Sequence, residues 1–238
     1  VQSVLESKEK NFDIYVVDNA SSDGSAEALK KAYGNRITVI ENKENLGGSG
    51  GFNTGLRIVR DKGYSYFMCL DDDAAVDENA LSVLYHYMEE HTDSGMAGCR
   101  VYHTQMSDYI QQSGLLIDFD NCTAKTIGAD MPEDGSLPDV IECDTVATCA
   151  VMVRADTVKQ KGVGIMPEDN FIYWDDMEWG YRIKLAGYRV VTLAEAKALH
   201  QMGANTEGKY LYQLLYVEKP DQFLYAVYAG GADGGNEC

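Results

Sequence analysis

The chain has 238 residues, with 20 Lys and Arg against 38 Asp and Glu, giving a formal net charge of −18. Hydrophobic residues at 45%, aromatics at 10% and only 4 prolines exclude a disordered or collagen-like chain. The acid excess argues against a nucleic-acid partner, which needs a basic footprint, and against electrostatic attachment to anionic lipid.

A chain of this length buries about 70% of its unfolded surface and needs no disulfide or metal as a staple. The 6 cysteines (Cys69, Cys99, Cys122, Cys143, Cys149 and Cys238) include no CxxC pair, against both a zinc finger and a disulfide framework. Cys69 and Cys149 lie in apolar runs and are expected as small buried hydrophobes in a reducing compartment. No apolar run reaches the length of a membrane span, so no transmembrane segment is expected. The chain opens on Val1 without a signal-peptide pattern and reads as a fragment of a cytoplasmic protein.

Taken in order, residues 1–7 read as the tail of a helix. Residues 12–17 (FDIYVV) form a β-branched run that ends in the polar cluster DNASSDGS, the pattern of a strand entering a loop. Residues 25–33 are helical, closed by Gly34, and 37–40 (ITVI) are a second strand. The glycine-rich segment 45–51 (NLGGSGG) leads into a helix with Phe52, Leu56 and Val59 on one face. Residues 64–70 (YSYFMCL) are a third strand, ending at Asp71, Asp72 and Asp73. Asp77 is the expected N-cap of a helix over 78–90. Alternating strand and helix predict a parallel sheet with covering helices, whose ligands bind beyond the carboxyl ends of the strands. A doubly wound sheet opens with a strand, but the first element here is helical. A gap or an exposed neighbour is therefore expected in the sheet.

The second half is less regular. Strands are expected over 95–103, 115–119 and 147–154, with an acidic surface loop over 129–138. A helix is expected over 175–186, a strand over 188–193, and a segment over 194–199 leading to His200. Residues 210–229, rich in Tyr and Leu, are expected as a helical pair around Pro220, packed on the domain or resting on a membrane surface. Residues 230–238 are expected as a loose tail.

Three adjacent carboxylates at the end of an apolar strand repel one another unless a cation sits among them, and hard oxygen ligands suit manganese, magnesium or calcium. The loop is not an EF-hand, because Val76 and Ser82 stand where that motif needs Gly and Glu. The alternative is a solvated acidic loop. Glycines at a helix entry let backbone approach an anionic ligand, although Asn53 falls at the third position of a GxGxxG pattern, so it is no dinucleotide fingerprint. Asp18 can accept from a base imide or ribose, or can close an Asx-turn. Tyr173 and Trp174 precede Asp175 and Asp176, and Trp179 follows; aromatics beside carboxylates suit sugar stacking. A lone His200 is more often structural, but beside a metal site it is a nitrogen ligand.

Together these stretches resemble family 2 glycosyltransferases of the GT-A fold: VVDNASSDGS at 16–25, ENLGGSGGFNTGL at 44–56, LDDDA at 70–74 and YWDDMEWGYRIKLAGYRVVTL at 173–193. NLGGSGGF with the Trp-Asp-Asp form looks most like the galactofuranosyl- and rhamnosyltransferase branch. The strand at 146–151 reads VATCAV, where that branch carries aromatics. The resemblance implies an α/β, GT-A type, Rossmann-like mostly parallel sheet flanked by helices, lacking its first strand. It implies a domain over 1–204, with a nucleotide-sugar half to residue 98 and an acceptor half from 99, then a C-terminal extension over 205–238.

It further implies that Asp18 binds the base, and that Asn45, Gly47, Gly48, Gly51, Asn53 and Asp72 face the donor. By the same resemblance Asp71, Asp73 and His200 would hold a divalent cation, manganese or magnesium. Asp176 matches the catalytic base of that family with Asp175 as its neighbour, and Trp174 and Trp179 would line the acceptor site. The implied reaction is metal-dependent inverting transfer of a galactofuranose- or rhamnose-type sugar. The donor is a UDP- or dTDP-sugar, and the acceptor a saccharide or a lipid-linked acceptor at the inner face of the cell membrane in cell-wall polysaccharide synthesis. The competing readings are a nucleotidyltransferase on a sugar phosphate, disfavoured because only Lys43 and Arg57 flank the glycine-rich segment, and a non-catalytic sugar- or calcium-binding module.

Overall fold

A computed structural model of the chain describes residues 1–169 and 174–201, and the backbone of Gln213–Tyr216 and Tyr225–Tyr228; the side chain of Val59 lies outside this description. The first half alternates as the sequence implies: α1 (Gln2–Glu6), β1 (Tyr15–Asp18), α2 (Ser25–Tyr33), β2 (Thr38–Glu41), α3 (Gly47–Arg60) and β3 (Tyr66–Leu70). A short strand that the sequence did not signal, β4 (Ala74–Val76), follows the three aspartates before α4 (Ala80–Glu90). Asp77 is not the N-cap. Asn79 occupies that position, and the Asp77 carboxylate instead accepts the Asn79 N–H at 2.9 Å.

The second half contributes β5 (Ser94–His103), β6 (Met106–Gln112), β7 (Leu115–Asp118), β8 (Thr123–Thr126), β9 (Met131–Pro132), β10 (Val140–Glu142), β11 (Ala150–Arg154), α5 (Asp175–Leu185) and β12 (Arg189–His200). The segments at 188–193 and 194–199 are one strand, β12, with a register shift between Leu193 and Lys197. β5 runs across residues 98 and 99, so the expected division between the two halves falls inside a strand. The tail segment carries two antiparallel strands, β13 (Gln213–Tyr216) and β14 (Tyr225–Tyr228), where helices were expected. Both read as short runs of Leu, Val and Tyr, residues that suit a pleated surface.

The main sheet runs β10-β12-β5-β11-β3. β5 and β12 are parallel, and β11 is antiparallel to both β5 and β3, so β3, β5 and β12 share one direction. β1 and β2 pair in parallel as a separate two-stranded sheet. No ladder joins β1 to β3, and β3 ends the path of the main sheet. This is the expected gap.

Consecutive residues of the central strands point to opposite faces, and both faces are covered, so those strands are apolar throughout. Ala97, Met152 and Val191 pack under α4 with Leu84 and Met88. Met96, Val151, Val153 and Val190 pack on the other face with Leu56 of α3 and Trp179 and Ile183 of α5. Cys69 and Cys149 are buried and free, as expected. This two-faced core fixes the strand ends from which the aspartates project.

Candidate metal and donor site

β3 ends at Leu70, and the next three residues turn the chain back: the Asp71 N–H donates to Cys149 O at 3.2 Å and the Ala74 N–H to Asp71 O at 3.2 Å. β4 then pairs antiparallel with the end of β12, setting Ala74 opposite His200, and the Gln201 N–H donates to Asp73 O at 3.2 Å. The register brings three side chains together. His200 Nε2 lies 3.2 Å from Asp73 Oδ1 and 3.9 Å from Asp71 Oδ2. One ligand atom from each of Asp71, Asp73 and His200 falls within 4.8 Å of the others, a cluster of the size a metal ion fits. Two carboxylates with one imidazole suit manganese, with magnesium a second choice of harder character. Asp72, between them, is exposed.

The acids beside this cluster are desolvated. Burial, reinforced by Asp73, Asp72 and Asp175, pushes the Asp71 carboxyl up to about 7. Burial and the adjacent Asp175 push Asp176 up to about 7, against the pull of the Met177 N–H, which donates to Asp176 Oδ1 at 2.8 Å. Burial also raises Asp175, which is itself buried at the start of α5. Asp175 raises Asp71, and Asp71 in turn raises Asp176, so the acids that open α5 stand within electrostatic reach of the cluster of β3 and β12. A cation placed among them would remove this mutual repulsion. The arrangement therefore fits a bound divalent metal.

Thr145 holds α5 in place, a contact the sequence did not reveal. Its hydroxyl donates to the Asp176 carbonyl at 2.6 Å. A Cβ on Gly180 would collide with Thr145 Oγ1, so only glycine one turn along α5 allows this approach.

The loops after β1 and β2 meet at Asn19, also missed from sequence. Its Nδ2 donates to Asn45 Oδ1 at 2.9 Å and to Gly47 O at 3.0 Å. Its Oδ1 accepts from Asn42 Nδ2 at 3.0 Å and from the Leu46 N–H at 3.1 Å. Asn45 Oδ1 also accepts the Gly47 N–H at 2.9 Å, which ties the entry of α3. A Cβ on Gly51 would stand 3.3 Å from Asn19 Nδ2, tighter than ordinary contact, so the asparagine would have to shift to admit a larger residue there. Gly47 is buried, and Gly48 is exposed. Asp18 is 8% exposed, and its Oδ2 accepts the Ser21 N–H at 3.1 Å, the turn-closing role weighed for it.

Two expected ligand contacts are instead structural. Asn53 is wholly buried: Nδ2 donates to Met166 O at 2.8 Å and Glu168 Oε1 at 2.9 Å, and Oδ1 accepts the Met166 N–H at 3.1 Å. Its amide is committed to the segment ahead of α5 and does not face a donor. Trp179 is also wholly buried, stacked on Phe67 at 6.1 Å between ring centroids, with its indole N–H donating to Gly164 O at 3.0 Å. It is a core residue, because the inward face of α5 turns it under the sheet. Trp174 is 8% exposed, at φ +67°, and its buried indole nitrogen has no hydrogen-bond partner among the described residues. Tyr173 lies outside the described residues.

The family model for glycosyl transferase family 2 matches residues 1–151. The chain belongs to this family. Poly-beta-1,6-N-acetyl-D-glucosamine synthase of Staphylococcus aureus (strain COL) is 32% identical over 81 residues, covering 34% of this chain and 19% of that protein. A crystal structure of GalNAc-T7 with UDP, GalNAc and Mn2+ superposes with a TM-score of 0.65 at 13% identity, covering 84% of this chain and 40% of that one. The mannosyltransferase PcManGT from Pyrobaculum calidifontis, in complex with GDP-Man and Mn2+, gives 0.60 at 17% identity over 86% and 52%. S. aureus TarS 1-349 with UDP gives 0.58 at 16% identity over 83% and 54%. The chain thus spans about a fifth of the curated relative and about half or less of these solved chains. The structural likeness supports the GT-A architecture implied by the sequence. Among the described residues no helix is long and apolar enough to cross a membrane.

Proposed function

We propose that this chain carries the donor and catalytic centre of a metal-dependent inverting glycosyltransferase. It moves a sugar from a nucleoside diphosphate to a saccharide or lipid-linked acceptor. The observation that carries the reading is the convergence of Asp71, Asp73 and His200 beside the two carboxylates that open α5. Family membership and the Mn2+, UDP and GDP-Man bound in the structural neighbours support it.

In this reading Asp71, Asp73 and His200 hold a divalent cation, which supplies charge neutralisation for the diphosphate and Lewis-acid stabilisation of its departure. A chain at −18 would otherwise repel that anion. The glycine-rich entry of α3, braced by Asn19, lies near the base-binding turn at Asp18, and its helix N-terminus favours anions. Asp176 accepts the acceptor hydroxyl proton on its carboxylate as the new C–O bond forms at the anomeric carbon and the bond to the diphosphate breaks. Attack opposite the leaving group inverts that carbon. Trp174 and Asp175 stand beside Asp176 to orient the acceptor. The branch pattern NLGGSGGF with Trp174, Asp175 and Asp176 favours a galactofuranose- or rhamnose-type donor.

The test is a thermal-shift series with UDP, dTDP and GDP, with and without Mn2+, followed by product analysis. Nucleotide at about 100 times its dissociation constant should add roughly 2.7 kcal/mol. Release of nucleoside diphosphate supports the reading, whereas pyrophosphate would identify a nucleotidyltransferase. Nucleotide stabilisation that is unchanged by a chelator would remove the metal role.

A further inference from the structure

We propose that Gln111 is a positioning residue for the cation site: it holds the His200 imidazole as the Nδ1–H tautomer and aims Nε2 between Asp71 and Asp73. The inference rests on the metal reading above. Gln111 is buried near the end of β6 on the far side of β5, 7% exposed in a strand whose first four residues are exposed. Its side chain reaches His200 twice. Oε1 lies 2.7 Å from His200 Nδ1, and Nε2 donates to His200 O at 3.2 Å.

The second contact decides the first. A backbone carbonyl only accepts, so the group facing His200 O must be the amide nitrogen. The amide oxygen then faces the ring, and an oxygen without a proton can only accept. His200 Nδ1 must therefore be the donor, and in the neutral ring the lone pair stands on Nε2. That nitrogen is the one 3.2 Å from Asp73 Oδ1 and 3.9 Å from Asp71 Oδ2. The two bonds together also fix the ring plane and the backbone of the last residue of β12. Without Gln111, the ring is free to carry its proton on Nε2, where a cation would bind. Loss of such an outer-shell partner typically weakens metal binding about 10- to 100-fold.

The experiment compares the whole chain with Gln111→Leu and Gln111→Glu. Mn2+ binding is followed by the electron paramagnetic resonance of the free ion, with Mn2+ alone and with added UDP. Two-bond 1H–15N spectra of the Mg2+-loaded proteins, with His200 assigned by its absence in His200→Gln, report the tautomer. Wild type should show a protonated, exchange-protected Nδ1 and an unprotonated Nε2. Gln111→Leu should bind Mn2+ about 10- to 100-fold more weakly and lose that protection. Gln111→Glu, whose carboxylate can accept the same proton, should recover most of the affinity. Equal Mn2+ affinity in wild type and Gln111→Leu overturns the inference and leaves the metal reading standing. If Gln111→Leu does not fold, a wild-type His200 protonated on Nε2 overturns it. Wild type that binds no Mn2+ under either condition removes the metal reading itself and this inference with it.

Discussion

His200 Nε2 and Asp73 Oδ1 stand 3.2 Å apart because β4, only three residues long, pairs with the last residues of β12. The strand has no independent stability, and its function is to fold Asp73 back onto His200. Replacing Asp73 with Asn keeps the shape and removes one charged ligand. Mn2+ affinity should then fall by at least about 100-fold, beyond the range of an outer-shell change. The rise in melting temperature that Mn2+ gives the wild type should vanish, measured by scanning calorimetry at matched metal concentration. A retained rise would place the cation elsewhere.

The raised acids give the metal-free protein a pH dependence of known sign. Asp71 and Asp176 each take up a proton at about 7 in the fold, against about 4 in the unfolded chain. Between these values the folded state binds more protons than the unfolded state, so stability falls as pH rises. Melting temperature in chelator should therefore decline from about pH 4 towards 7 through these groups, then level. Asp71→Asn should flatten part of that decline. Binding of a cation requires the ionised acids, so the Mn2+-induced shift should grow over the same window. A metal-free stability that rises steadily through it would contradict the desolvation and mutual repulsion of these half-buried carboxylates.

The first half of the fold was legible because hydrophobic period and polar punctuation agree there: FDIYVV, ITVI and YSYFMCL each stop at a polar cluster. The short strands were not. β4, β8, β9 and β10 have two to four residues, too few to show a period, and their pairing is set by β12, β7 and β6 instead of local pattern. At the site, residue type and position showed a run of three aspartates after a strand and a histidine closing another, and it was the family resemblance that singled out Asp71, Asp73 and His200, the three side chains that lie together. Sequence could not tell which of Asn19, Asn45 and Asn53 meets a ligand, since an amide serves a loop as readily as a sugar. Nor could it tell that Trp179 faces inward. That depends on which side of α5 the sheet covers.

Asn53 tests this distinction. Its buried amide makes three hydrogen bonds to the segment at 166–168, and Arg57 of the same helix pairs with Glu168 at 2.6 Å. Asn53→Ala leaves the Met166 carbonyl and N–H without their partner, a loss of about 1–3 kcal/mol for each buried group left unpaired. Melting temperature should fall by several degrees in chelator, with Mn2+ affinity within a factor of a few of wild type. A large loss of nucleotide binding in a protein of unchanged stability would return Asn53 to the donor site.

Asp176 is the residue whose removal should stop transfer while sparing donor binding. Its backbone carbonyl is held by the Thr145 hydroxyl at 2.6 Å, and its carboxylate accepts the Met177 N–H at 2.8 Å, so the side chain is fixed at the first turn of α5. Burial and Asp175 raise its affinity for a proton, which makes it a stronger base than a solvated aspartate once ionised. Asp175 is the neighbouring side chain on a helix with about 3.6 residues per turn, so the two carboxylates diverge by about 100°. They cannot serve one proton equally. Asp176→Asn should lower turnover by about 10²- to 10⁴-fold, with UDP and Mn2+ affinity within a few-fold of wild type. Its metal-free stability at neutral pH should be equal or higher, because a half-buried charge repelled by Asp175 and Asp71 is gone. The wild-type rate should rise with pH through about 7 as Asp176 loses its proton, and the residual rate of the variant should lack that step. If Asp175→Asn shows the lost turnover and the lost pH step instead, the base is Asp175 and the roles of the two carboxylates are exchanged.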